Sequence, residues 1–66
     1  MTKEYYTERV NELSVQFKVF RKLLCWRSAS YRIRQMAKLY AQYHGKTYDE
    51  GIEYITGVFE FKELTR

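Results

Sequence analysis

The chain has 66 residues, 45% of them hydrophobic and 18% aromatic, with 12 Lys and Arg against 8 Asp and Glu for a net charge of +4. This length allows one small domain, residues 1–66, which buries only about 60% of the surface that the unfolded chain exposes. The hydrophobic content excludes a disordered tail, no stretch approaches the ~18 apolar residues of a membrane span, and the single Cys25 excludes an internal disulfide and favours a reducing, cytoplasmic setting.

Proline is absent and the three glycines, Gly45, Gly51 and Gly57, all lie in the last third, so nothing interrupts the first 44 residues and long helices are favoured. Tyr6, Val10, Leu13, Phe17, Phe20 and Leu24 recur at alternating steps of 4 and 3. This is a continuous apolar stripe, and it predicts a helix from about Lys3 to Trp26. In its C-terminal half a second stripe of Val15, Val19, Leu23 and Trp26 falls roughly opposite the first. One side of this helix is expected to be covered by the rest of the chain. The other side is then left for a second copy, giving a homodimer, or for a foreign partner. The competing reading is a monomer in which the third segment folds over that face.

A second helix is expected after a break at Trp26–Ser30, with Ser28 or Ser30 accepting its first N–H groups. Ile33, Met36, Ala37, Tyr40 and Tyr43 form its apolar side. Gly45 fits the left-handed position after a helix end, and Thr47 followed three residues later by Glu50 is a capping-box pattern that starts a third helix. That helix would bury Tyr48, Ile52, Ile55 and Phe59, although Gly51 and Gly57 each cost about 1 kcal/mol relative to Ala. Its end is expected to fray over residues 58–66, where Phe59 and Phe61 also alternate with Glu60 and Lys62 as in a short strand. The predicted fold is all-α: a long N-terminal helix followed by a short helical hairpin.

Charge is distributed unevenly. From Leu13 to Tyr48 there is no acid and the charge is +8, whereas Met1–Glu12 carries −1 and Asp49–Arg66 carries −3. A solvated helix ordinarily mixes signs to gain i,i+4 pairs, so this stretch points to an anionic partner, either nucleic acid or an acidic protein surface. Away from the apolar stripe of the second helix lie Tyr31, Arg34, Gln35, Lys38 and Gln42, with Arg32 at the flank. Arg and Lys neutralise phosphates, Gln pairs with adenine edges and Tyr stacks on bases, which suits a nucleic-acid surface. Ser28 and Ser30 add hydroxyls at the helix start, and Lys18, Arg21, Lys22 and Arg27 extend the field if the first two helices run antiparallel.

Two common DNA-binding scaffolds do not fit. Ala41 and Gly45 have the spacing of a helix-turn-helix, but the following helix opens with Asp49, Glu50 and Glu53, which repel phosphate. The helical first 26 residues exclude a ribbon-helix-helix strand. Residues 15–27 read as a basic amphipathic peptide, yet most of those side chains are needed for the core, which disfavours membrane binding and leaves Trp26 as a protein-interface anchor. Cys25 and His44 sit at different helix ends with no nucleophile signature, and one Cys and one His supply no zinc set, so no enzyme, cofactor, metal or small-molecule substrate is indicated. His44 is expected in a last helical turn and Cys25 as a small buried hydrophobe. The resulting expectation is a cytoplasmic, non-enzymatic nucleic-acid-binding regulator. The alternative is an adaptor or inhibitor, of the kind a phage or other mobile element encodes, docking on a host protein through Trp26 and its basic neighbours.

Overall fold

A computed structural model describes residues 1–62, so the part of the expectation for the chain end that covers 63–66 lies outside it. Three helices follow one another: α1 (Lys3–Lys22), α2 (Trp26–His44) and α3 (Tyr48–Val58). The described residues contain no strand. α1 and α2 are nearly equal, at 20 and 19 residues, so the first helix is not the dominant element that the sequence suggested.

The helix starts are closed by side chains where the sequence supplies them. Thr2 accepts the N–H of Tyr5 at 3.1 Å ahead of α1. At α3 the expected capping box forms, with Thr47 Oγ1 accepting the Glu50 N–H at 3.2 Å and Glu50 Oε1 accepting the Thr47 N–H at 3.3 Å. The Thr47 hydroxyl, its N–H and then the nearby Lys46 hold the Glu50 carboxyl below its ordinary value. α2 departs from expectation. It begins at Trp26 behind Cys25, so neither Ser28 nor Ser30 caps it, and Ser30 is completely buried inside the helix.

All three helices end in the same way, with a residue of left-handed φ followed by an N–H that reaches back five positions. Leu24, Gly45 and Glu60 have φ of 59°, 65° and 52°. The closing bonds are Cys25 N–H to Phe20 O at 2.9 Å, Lys46 N–H to Ala41 O at 2.8 Å and Phe61 N–H to Thr56 O at 3.0 Å. In α1 and α3 the second bond of a Schellman motif is also present, from Leu24 to Arg21 O at 3.0 Å and from Glu60 to Gly57 O at 3.3 Å. The break after α1 therefore falls at Leu23–Cys25, earlier than Trp26–Ser30.

α2 is the central element, packed against both α1 and α3, and the core is Leu13, Phe17, Ala29, Ile33, Met36, Ala37, Ile55 and Phe61. α1 and α2 run antiparallel, since Tyr6 stacks on Tyr43 at 4.2 Å and Gln16 meets Arg32 near the other end. α3 crosses closest to α2 at Gly51, where a Cβ would lie 2.5 Å from the Ala37 carbonyl oxygen. Gly51 is thus the residue that lets two backbones approach, and its helix-propensity cost is offset by that packing. α3 does not pack on α1 as a helix; the segment after it does, with Phe59 and Phe61 both edge-on to Phe17 at 5.2 Å. Phe61 is 1% exposed, so this segment is an integral part of the core and neither strand nor frayed end.

Several expected core positions are corrected. Leu24 lies beyond the end of α1 and is 68% exposed, and Tyr48 at the start of α3 is 40% exposed. Cys25, expected as a small buried hydrophobe, is exposed. His44 does occupy the last turn of α2. No helix among the described residues is long and apolar enough to cross a membrane.

Candidate nucleic-acid interface

Because α2 buries Ala29, Ile33, Met36 and Ala37, the positions about 180° away face solvent. Tyr31, Gln35, Lys38 and Gln42 lie on this outward face, with Arg27 and Arg34 along its edge; Arg34 and Gln35 are half-buried and the others exposed. The ion pairs among the described residues are Arg9–Glu12 at 2.8 Å and Lys46–Glu50 at 3.9 Å. Neither involves Arg27, Arg34 or Lys38. These three cations stand on one helix face beside an exposed tyrosine ring and two side-chain amides.

The other basic residues are positioned differently. Arg32 turns towards α1, where its Nε donates to Gln16 Oε1 at 3.2 Å and its guanidinium lies 4.5 Å from the Phe20 ring centre. Its Nη1 also donates to the Ser28 carbonyl at 3.5 Å, so Arg32 is a hinge post between helices at the rim of the face. Arg21 donates through Nη1 to Phe59 O at 2.9 Å and through Nη2 to Glu60 O at 3.2 Å. It therefore serves the end of α3, where terminal carbonyls lack helical partners and the dipole favours a cation. On α1, Arg21 and the Gln16 that faces Arg32 lie about 140° apart across the core side, and Lys18 and Lys22 fall within the remaining arc of about 220° on the outer side. The antiparallel packing thus does not carry Lys18, Arg21 and Lys22 onto the α2 face. Ser30 is out of reach of any ligand there, and Ser28 is half-buried with its hydroxyl turned to the Cys25 sulfur.

The second apolar stripe divides as well. Val15, Val19 and Leu23 are 63%, 49% and 68% exposed, so neither α2 nor α3 covers this side of α1. Trp26 parts from them because it opens α2; it is half-buried, packed on the core and 6.1 Å from the Phe61 ring. Part of its ring is therefore committed to the core.

Periodicity puts Tyr6, Tyr40 and Tyr43 on apolar helix sides, but it does not foretell that they join Tyr54 and His44 in an aromatic cluster that links all three helices at the end opposite Phe17. Tyr6 of α1 stacks on Tyr43, and Tyr40 stacks on Tyr54 of α3 at 4.3 Å, while the His44 ring lies 4.6 Å from Tyr40 and 5.8 Å from Tyr6. Burial first, and then the neighbouring hydroxyls of Tyr54, Tyr40 and Tyr43, push the Tyr6 phenol above its ordinary value. The signal for it was seven tyrosines in so short a chain.

Among the described residues no group of three or more His, Cys, Asp or Glu is placed to hold a metal. The chain matches no protein-family model, no curated protein and no solved structure.

Proposed function

We propose that this chain is a small, non-enzymatic, cytoplasmic regulator that binds nucleic acid, DNA in the first instance, through the outward face of α2, and that it acts as a homodimer. The observation that carries this reading is the set Arg27, Arg34 and Lys38, aligned on one face and paired with no carboxylate of the described residues. In it the three cations neutralise phosphates, Tyr31 stacks or bonds a phosphate, and Gln35 and Gln42 meet base edges. The uncovered Val15, Val19 and Leu23 support the dimer.

A second reading, an adaptor or inhibitor docking on another protein, is favoured by the same uncovered stripe together with Leu24, which is 68% exposed beside it. Fluorescence anisotropy of labelled duplex and single-stranded oligonucleotides across a salt series separates the two. Three phosphate contacts predict that log K falls with log salt at a slope of about −2.7 on duplex DNA. Absent or salt-insensitive binding to every oligonucleotide rejects the nucleic-acid reading and leaves the adaptor.

A further inference from the structure

The outer side of α1, facing away from α2, carries charge that changes sign along its length. Glu8, Glu12, Val15, Val19 and Lys22 follow at steps of 4, 3, 4 and 3, and all five are exposed. This spacing is that of a coiled-coil seam, with acids at its start, two valines in its middle and a lysine at its end. Leu23 flanks the valines on one side and Lys18 on the other.

We infer that this face binds a second copy of the chain as an antiparallel, two-fold α1–α1 pair centred midway between Val15 and Val19. That centre sets Val15 of each copy opposite Val19 of the other, and Glu12 opposite Lys22. Both apolar residues are then covered and both charge pairs are complementary. A parallel pair instead stacks Glu8 and Glu12 on their own copies and Lys22 on Lys22, which costs rather than gains. Charge complementarity therefore selects both the occupant and its direction. Glu12 already bonds Arg9 within its own helix at 2.8 Å, so Lys22 of the second copy completes a three-membered network at each end of the seam.

A two-fold relating antiparallel helices runs perpendicular to the plane that contains them. Surfaces that face along that axis in one copy do so in the other. The outward face of α2 lies on the α1 edge marked by Gln16 and Arg32, so the pair sets both cationic faces on one side. The pairing rests on the homodimer proposed above, and only this last consequence rests on the nucleic-acid reading as well.

Sedimentation velocity without nucleic acid, from micromolar to millimolar protein, tests the pairing. The wild type is expected to move from monomer towards dimer with rising concentration. Lys22→Glu, at an exposed position, is expected to weaken association about tenfold, with circular dichroism unchanged. Adding Glu12→Lys to that variant restores complementarity and is expected to return association to near the wild-type level. A wild type that stays monomeric at millimolar concentration overturns the inference. So does a Lys22→Glu protein that associates normally, or a double variant that is not rescued. Loss of oligonucleotide binding in a protein that still dimerises would count against the proposed function alone.

Discussion

Gly51 of α3 lies so close to Ala37 of α2 that a β-carbon on it would stand 2.5 Å from the Ala37 oxygen and 3.2 Å from its carbonyl carbon. Both obstacles are backbone, so the crossing must widen to admit a methyl group. Gly51→Ala is expected to destabilise by about 2–3 kcal/mol despite the better helix propensity of Ala. Among the described residues, no atom outside its own helix backbone and chain neighbours lies within 4 Å of where a β-carbon on Gly57 would stand, and Gly57→Ala is expected to stabilise by about 0.5–1 kcal/mol. Urea unfolding of the two variants reads opposite signs; equal effects would contradict the close crossing.

Arg21 ties the end of α1 to the end of α3 through the carbonyls of Phe59 and Glu60. Arg21→Met keeps an apolar stem near Phe17 and removes both hydrogen bonds. It is expected to cost about 1–2 kcal/mol in urea unfolding. Its oligonucleotide affinity, compared at a concentration where the variant is folded, is expected to stay within about twofold of wild type, since only a distant charge is lost.

Leu24 takes a left-handed φ of 59° with its side chain 68% exposed. A β-carbon in that region costs about 1–2 kcal/mol, part of which glycine returns as unfolded-state entropy. Leu24→Gly is therefore expected to raise stability by about 0.5–1 kcal/mol. Thermal unfolding checks this, and a lower melting temperature would contradict it.

These helix ends explain what was legible in the sequence. The end at Gly45 could be read because glycine is the usual carrier of left-handed φ. The left-handed ends at Leu24 and Glu60 could not, because neither residue marks a stop. The predicted first helix accordingly runs on to Trp26, and the third is read as a helix that frays towards its end. Thr47 and Glu50 were readable because both halves of the capping box lie within four residues. Leu13 and Phe17 were readable from their period, and so was the outward face of α2. Arg21 was not, since its partners are carbonyls 38 and 39 residues away and carry no side-chain signature. Gly51 looked like a helix defect until the neighbouring backbone was in view.

Cys25 is exposed at the start of α2, and the Ser28 hydroxyl, followed by the Ser28 N–H, lowers its thiol pKa; Arg32 adds a smaller push in the same direction. A lowered pKa raises the thiolate fraction at neutral pH. The rate of alkylation by iodoacetamide should therefore rise with pH through a midpoint below that of an ordinary cysteine. Ser28→Ala should move the midpoint upward. A midpoint at or above the ordinary value in the unaltered protein would contradict this environment.

The central claim is that nucleic acid meets the outward face of α2 and not the basic side of α1. Its most direct test is the affinity of one duplex oligonucleotide for two charge-reversal proteins, Arg34→Glu/Lys38→Glu and Lys18→Glu, each first shown to be folded and to self-associate as the wild type does. The double variant is expected to lose at least about tenfold in affinity, and Lys18→Glu to remain within about twofold of wild type. Unchanged binding by the double variant, or an equal loss in Lys18→Glu, would contradict it.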